Sequence, residues 1–280
     1  MNDQFFKISD DEFNKLKKLI FDNFGIHLTD QKKGLVYTRL HSVLNKYGFK
    51  TFDEYYRFVS TDKTGKGLDE LVNKISTNFT FFYREEDHFD FFIKRVLPES
   101  MEMARKKNEN DLRFWCAGCA SGEEPYTIIM LMMEAMGGNY SLWNSGILAT
   151  DISDNALNFA KNAIYPEDRL QKLPPLYRNK YFEKLAEDEY KVIDRVKKEV
   201  TFRRFNLMNT NFPFKKRFHA ILCRNVMIYF NQQTRDELVG RYEQMLEPGG
   251  YLFLGHSETI SSKMYSFKYV MPAVYRKEGP

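Results

Sequence analysis

Residues 112–126 read LRFWCAGCASGEEPY, and this stretch decides how the rest of the 280-residue chain folds. A short apolar strand breaks into a small-residue turn holding Gly118, Ala120, Ser121 and Gly122, and two carboxylates and Pro125 then start a helix. A strand feeding such a turn and a helix N-terminus sets free backbone N–H groups beside the strand's carboxyl edge. That edge is where open α/β sheets bind nucleotide-like ligands.

Downstream the pattern alternates as βαβ units do. Strands are expected at 147–151, 200–206, 219–223 and 251–255, and helices at 125–136, 155–164 and 232–246, giving a mostly parallel sheet. Pro174-Pro175, many charges and the short runs YFEKL and YKVID interrupt the alternation and predict a small inserted antiparallel subdomain over about 166–200. SFKYVMPAVYRK reads as one closing strand, antiparallel at the sheet edge. Upstream, residues 1–75 carry helical periodicity: a capping box at Ser9 and Glu12, a second helix from Lys32 to Tyr47, a third from Thr51 to Val59 and a fourth from Leu68 to Ile75. Between the halves lies a linker, 76–92, rich in aromatics and holding Arg84.

Composition narrows the partners. With 43% hydrophobic and 16% aromatic residues the chain can bury a sizeable core. Its 42 basic and 38 acidic residues leave only +4, a mixed surface that does not mark a nucleic-acid binder, and the one basic stretch lacks interleaved stacking aromatics. The start has no basic segment followed by an apolar core, and no run of about 18 apolar residues occurs, so a cytoplasmic protein without membrane insertion is expected. Cys116, Cys119 and Cys223 are too few for a disulfide framework and lack a second Cys pair or spaced histidines. They read as packing residues, and no metal site is expected.

The site chemistry follows from what the turn lacks. Dinucleotide turns read G-x-G-x-x-G, whereas here Gly118 leads to Gly122-Glu123-Glu124, and an acid there would repel a diphosphate. A ligand with a ribose and an ammonium but no phosphate fits, and S-adenosylmethionine is that ligand. Glu123 or Glu124 can pair with its α-amino group, and an arginine is wanted for its carboxylate. Asp151 ends the second strand, where it can accept from both ribose hydroxyls. Asn206 with Leu207 ends the next, where an amide can frame an adenine edge, and Arg224 and Asn225 end the one after.

GCASGEEPY, ATDIS, NLM, CRNVMIYF and PGGYLFLGHSE, collinear behind TNFTFFYREEDHF, resemble the bacterial chemoreceptor glutamate O-methyltransferases, the CheR family. The resemblance covers nearly the whole chain. It implies a Rossmann-like methyltransferase domain at 93–280 with the antiparallel insertion, preceded by the linker and by the helical domain at 1–75. It implies that Asn78, Thr80 and Arg84 contact the cofactor, with Arg84 as the wanted cation. By the same token Glu124 would meet the amino group, Asp151 the ribose, Asn206 and Leu207 the adenine, and Arg224 and Asn225 the cofactor again. Tyr229 resembles the family tyrosine near the reacting centre, and Tyr229 and Arg84 are the expected catalytic residues.

The implied reaction methylates glutamates on a chemoreceptor's cytoplasmic domain and leaves S-adenosylhomocysteine. The rival is a non-catalytic cofactor-binding regulator. The acid-free stretch from Gln31 to Lys50 offers Lys33, Arg39 and Lys46 as a docking face for the acidic receptor helix. Two departures stand out. Phe218-His219 replaces the family's usual Phe-Asp, and the insertion lacks the glycine-rich loop of members that tether to a receptor's C-terminal peptide, so no tethering is expected.

Overall fold

The computed structural model describes residues 7–260 and 264–279. Its first unit is α-helical: α1 (Asp10–Phe24), α2 (Lys33–Tyr47), α3 (Phe52–Thr61) and α4 (Lys66–Ile75). The Ser9 hydroxyl accepts the Glu12 N–H at 3.2 Å and the Glu12 carboxylate accepts the Ser9 N–H at 2.9 Å, so α1 starts where two orphan donors are satisfied. It stops at Gly25, whose φ of 69° needs a glycine. The apolar faces of these helices meet in a core of their own around Leu16, Ile20, Leu40, Leu44, Phe52 and Tyr55. An irregular linker, 76–85, then enters α5 (Glu86–Phe91), which widens into a π turn at Phe92–Val96 and continues as α6 (Leu97–Lys106).

The second unit runs β1 (Phe114–Ala117), α7 (Glu123–Met136), β2 (Ile147–Asp151), α8 (Asp154–Asn162), β3 (Ile164–Pro166), α9 (Pro175–Tyr181), β4 (Phe182–Ala186) and β5 (Glu189–Val192). It continues as α10 (Asp194–Lys197), β6 (Val200–Arg204), β7 (Phe218–Cys223), α11 (Gln232–Met245), β8 (Leu246–Leu254), β9 (Phe267–Met271) and β10 (Val274–Lys277). The main sheet has the order β6-β2-β1-β7-β8-β10-β9, parallel through its first five strands and antiparallel at β10 and β9. Successive strand residues face opposite cores: Phe114 and Cys116 pack with α5, α6 and α7, while Trp115 and Ala117 pack with α11. The chain winds outward one way from β1 to β2 and β6 and the other way from β7 to β8. The switch point of the sheet therefore falls between β1 and β7.

Two expectations change in detail. The closing segment is a hairpin rather than one strand, because Pro272 has no N–H for a ladder and Ala273 turns at φ 60°. The insertion is a three-stranded antiparallel sheet, β3-β5-β4, that begins at Ile164, within the stretch expected to be helical.

His219 sits inside β7, 1% exposed, and its Nδ1 accepts the Arg113 N–H at 3.1 Å. Burial and the nearby Arg113 cation depress its pKa from 6.5 to about 4. A histidine held neutral in the fold costs nothing above pH 6.5, and its contribution is lost as pH falls from 6.5 toward 4, where the unfolded chain takes up a proton and the folded one does not. The loss approaches about 3 kcal/mol. His219→Gln, which keeps an acceptor for Arg113, is expected to lose less stability than the parent between pH 7 and 4.5 in urea titrations. Equal losses would refute the assignment.

Candidate active site

A cleft of about 1130 Å³, counting its open mouth, lies at the switch point. Its floor is the turn after β1. Gly118 there has φ 102°, and a Cβ at this position would lie 2.3 Å from Val226 Cγ2, so the loops after β1 and β7 can touch only because residue 118 is glycine. Asp151, at the end of β2, accepts N–H bonds from Ala120 at 2.8 Å and Ser153 at 2.9 Å and braces the turn from the side. Each of its oxygens keeps a lone pair for a hydroxyl. Burial pushes its pKa up, and the N–H bonds work against that rise.

The linker forms one wall. Phe82 anchors it, fully buried and edge-on to Tyr165 and Phe182. Tyr83 and Glu85 adopt φ of 65° and 59°, left-handed values that non-glycine residues rarely take, and they hold Arg84 between them facing the cleft. Among the described residues Arg84 has no ion pair, and its guanidinium donates only to the Phe79 carbonyl at 3.5 Å. Asn78 donates to Ser153 Oγ at 3.3 Å, which ties the linker to the cap of α8, and Thr80 lines the cleft.

Behind Arg84 sits a charge network. Arg224 reaches Glu124 at 2.9 Å and Glu85 at 3.1 Å and also donates to the Arg84 carbonyl. Burial opposes ionisation of Glu85, yet the Arg224 guanidinium brings its pKa below the usual value. Glu124 is enclosed more completely, and there burial outweighs the same guanidinium and raises its pKa. The cleft lining itself sets Glu124 and Asp151 against Arg84 and Arg224, and Glu85 stands behind it as a further partner of Arg224.

The fourth wall is the loop after β7. Asn225 takes φ 59°, Tyr229 lies on a single 3₁₀ turn, and the Tyr229 phenol has no hydrogen-bond partner among the described residues. The buried Glu258 carboxylate shapes this loop by accepting N–H bonds from Gly255 at 2.5 Å, Asn225 at 2.8 Å and Ile228 at 3.1 Å. The helical unit completes the enclosure. The segment after α1 pairs with the loop through His27 N–H to the Tyr229 carbonyl at 2.7 Å, and Phe24 and Ile26 line the cleft.

Residues 78–275 match the family described as CheR methyltransferase, SAM binding domain, and residues 11–76 match the CheR methyltransferase all-alpha domain. The chain belongs to the CheR methyltransferase family. A chemotaxis protein methyltransferase of Borreliella burgdorferi is 45% identical over 96% of this chain and 95% of its own length. A probable chemotaxis protein methyltransferase of Rhizobium etli is 35% identical over 88% of this chain and 91% of its own, and the Escherichia coli chemotaxis protein methyltransferase is 33% identical over 91% and 86%. This CheR family member is thus an S-adenosylmethionine-dependent methyltransferase of chemotaxis, a Rossmann-like α/β domain behind a small helical one. Among the described residues no helix is long and apolar enough to cross a membrane.

Within the CheR cleft the structure gathers Asn78, Thr80, Arg84, Glu124, Asp151, Asn206, Leu207, Arg224, Asn225 and Tyr229. Glu123 is not among them. It turns away to Ser121 and Arg169, 3.1 Å from the latter, because consecutive residues of a helix point about 100° apart. The Asn206 amide is engaged in bracing α1 through the Asn23 carbonyl at 2.8 Å. Lys33 and Lys46 are not an unbalanced face: Asp10 of α1 and Glu70 of α4 pair with them at 2.6 and 2.8 Å. Arg39 instead holds the linker, donating to the Ile75 and Ser76 carbonyls and to Thr77 Oγ1. All three cysteines are buried, and burial drives their thiol pKa values well up, as packing residues require.

Sequence reasoning missed Glu85, Glu258, Phe24 and Ile26. Glu85 adjoins Arg84 and Glu258 closes GHSE, so both lay within quoted motifs. Nothing in the local pattern of α1 signals that its end roofs a cleft.

Proposed function

We propose that the chain transfers a methyl group to glutamate side chains on the cytoplasmic helices of chemoreceptors, giving γ-methyl esters. One observation carries this reading. Among the described residues no histidine or lysine lines the cleft, and Glu124 and Asp151 are engaged by Arg224 and by backbone N–H groups, so the cleft offers no imidazole, amine or unengaged carboxylate as general base. An amine or hydroxyl acceptor would need deprotonation, whereas a glutamate with pKa near 4.3 arrives ionised.

The bound cofactor supplies an electrophilic methyl on its sulfonium. Arg84 would hold its carboxylate, Glu124 its ammonium and Asp151 its ribose. The aromatic and aliphatic walls exclude water from the incoming carboxylate, and Tyr229 orients it. Catalysis is then chiefly positioning. The receptor's C-terminal peptide is not needed as a tether, since the β4–β5 hairpin turns through Glu187 and Asp188 without a glycine.

The test is incubation with methyl-labelled cofactor and receptor cytoplasmic fragments, followed by alkali. Volatile methanol is expected. A chain that binds the cofactor yet labels no receptor would be the non-catalytic regulator instead.

Receptor docking on α2 is the second part of the reading. Exposed ion pairs are worth under about 1 kcal/mol, so Lys33 and Lys46 can exchange Asp10 and Glu70 for receptor carboxylates. The double variant Lys33→Glu, Lys46→Glu should raise the KM for receptor severalfold, most at low salt, with cofactor affinity unaltered. Unaltered receptor kinetics would discard this face. Arg39 is left out of the test because it holds the linker.

A further inference from the structure

Phe79 is 67% exposed although it lines the cleft, so its ring stands at the mouth. It meets Phe81 edge-on with centroids 6.3 Å apart. Two cations from the segment between β3 and α9 lie over these rings, Arg169 over Phe79 at 5.3 Å and Lys172 over Phe81 at 5.0 Å. The two cations differ. Arg169 is neutralised by the buried Glu123 and tied to the Thr80 carbonyl, which fixes the rim to the wall. Lys172 is exposed and has no ion pair among the described residues. The exposed Phe79 ring, edge-on to the half-buried Phe81, costs free energy in water, and the Lys172 ammonium over Phe81 has no counter-charge among the described residues, which makes the rim complementary to an acidic partner.

We propose that this rim is the seat of the methyl-accepting helix. The apolar residues flanking the target glutamate pack on Phe79 and Phe81, while a second acidic side chain about one turn away pairs with Lys172. The preferred acceptor is therefore an amphipathic helix carrying two acids one turn apart beside apolar residues. This rests on the glutamate-methylating reading above and adds which receptor sequences the enzyme selects. The rim also explains why the linker is built with Phe82 and Tyr83 inward and Phe79 outward: the buried pair holds the wall still, and the exposed ring is left for a partner.

The decisive variants are Lys172→Glu, which does not touch the cleft, and Phe79→Ser at its mouth. With the full chain and a receptor cytoplasmic fragment, Lys172→Glu is expected to raise KM about fivefold or more at low salt, to lose most of that effect at high salt, and to leave kcat and the cofactor Kd unchanged. Phe79→Ser is expected to raise KM for the receptor fragment about tenfold. Replacing the second acid of the acceptor by glutamine should raise KM for the parent but not for Lys172→Glu. Unchanged KM in both variants, with methyl transfer intact in the parent, overturns the rim and leaves the reaction standing. Absence of transfer by the parent overturns the reaction itself.

Discussion

Glu124→Arg is expected to abolish cofactor binding. The substitution removes the carboxylate proposed for the ammonium and sets a second guanidinium against Arg224, which now lies 2.9 Å from Glu124. Arg224 would keep only Glu85, and the cleft would gain two positive charges, the sign the cofactor itself carries. A buried charge-assisted pair is worth several kcal/mol when one partner is removed, so affinity should fall by more than about 100-fold in calorimetry. Glu124→Gln separates charge from shape. It still accepts from Arg224 and keeps the volume, and it should weaken binding about tenfold. If Glu124→Arg binds the cofactor as the parent does, the ammonium is held elsewhere and the orientation proposed for the cleft is wrong.

Glu258→Ala is expected to cost both stability and turnover. Three backbone N–H groups end on this one carboxylate: those of Asn225 and Ile228 from the loop that carries Tyr229, and that of Gly255 from the end of β8. Burial raises the Glu258 pKa while those N–H bonds work against it, so their loss leaves unsatisfied donors in a dry site. At about 1–2 kcal/mol per donor the destabilisation should reach roughly 3–5 kcal/mol, lowering the melting temperature by about 10 °C. Turnover should fall further than cofactor affinity, because Asn225 relaxes from its left-handed φ of 59° and Tyr229 shifts with it. Glu258→Gln keeps one acceptor oxygen and should fall between the two. Parental melting and turnover in Glu258→Ala would remove Glu258 from the site's architecture.

The N-terminal unit illustrates how far local pattern reaches. The capping box at Ser9 and the glycine at 25 set the ends of α1 with side-chain chemistry contained in the sequence itself. The basic face of α2 gave no comparable guide. The stretch from Gln31 to Lys50 holds no acid, but folding brought Asp10 from 23 residues before Lys33 and Glu70 from 24 residues after Lys46. Charge balance on a surface is a sum over spatial neighbours, and a linear window counts only some of them.

By itself the sequence determined the alternation of strand and helix, the turn at Gly118 and the carboxylate and arginine types the cofactor needs, because backbone conformation and ligand chemistry depend on residues close together in the chain. Only the tertiary structure showed that Glu123 turns away to Ser121 and Arg169 while Glu124 faces the cleft, since one helical step of rotation separates them and the sheet sets the phase. It alone decided that Arg224 is shared between Glu85 and Glu124, and that Phe24 and Ile26 close the site from another unit. Those outcomes depend on distances between segments 100 to 200 residues apart, which are fixed when the separate cores pack together.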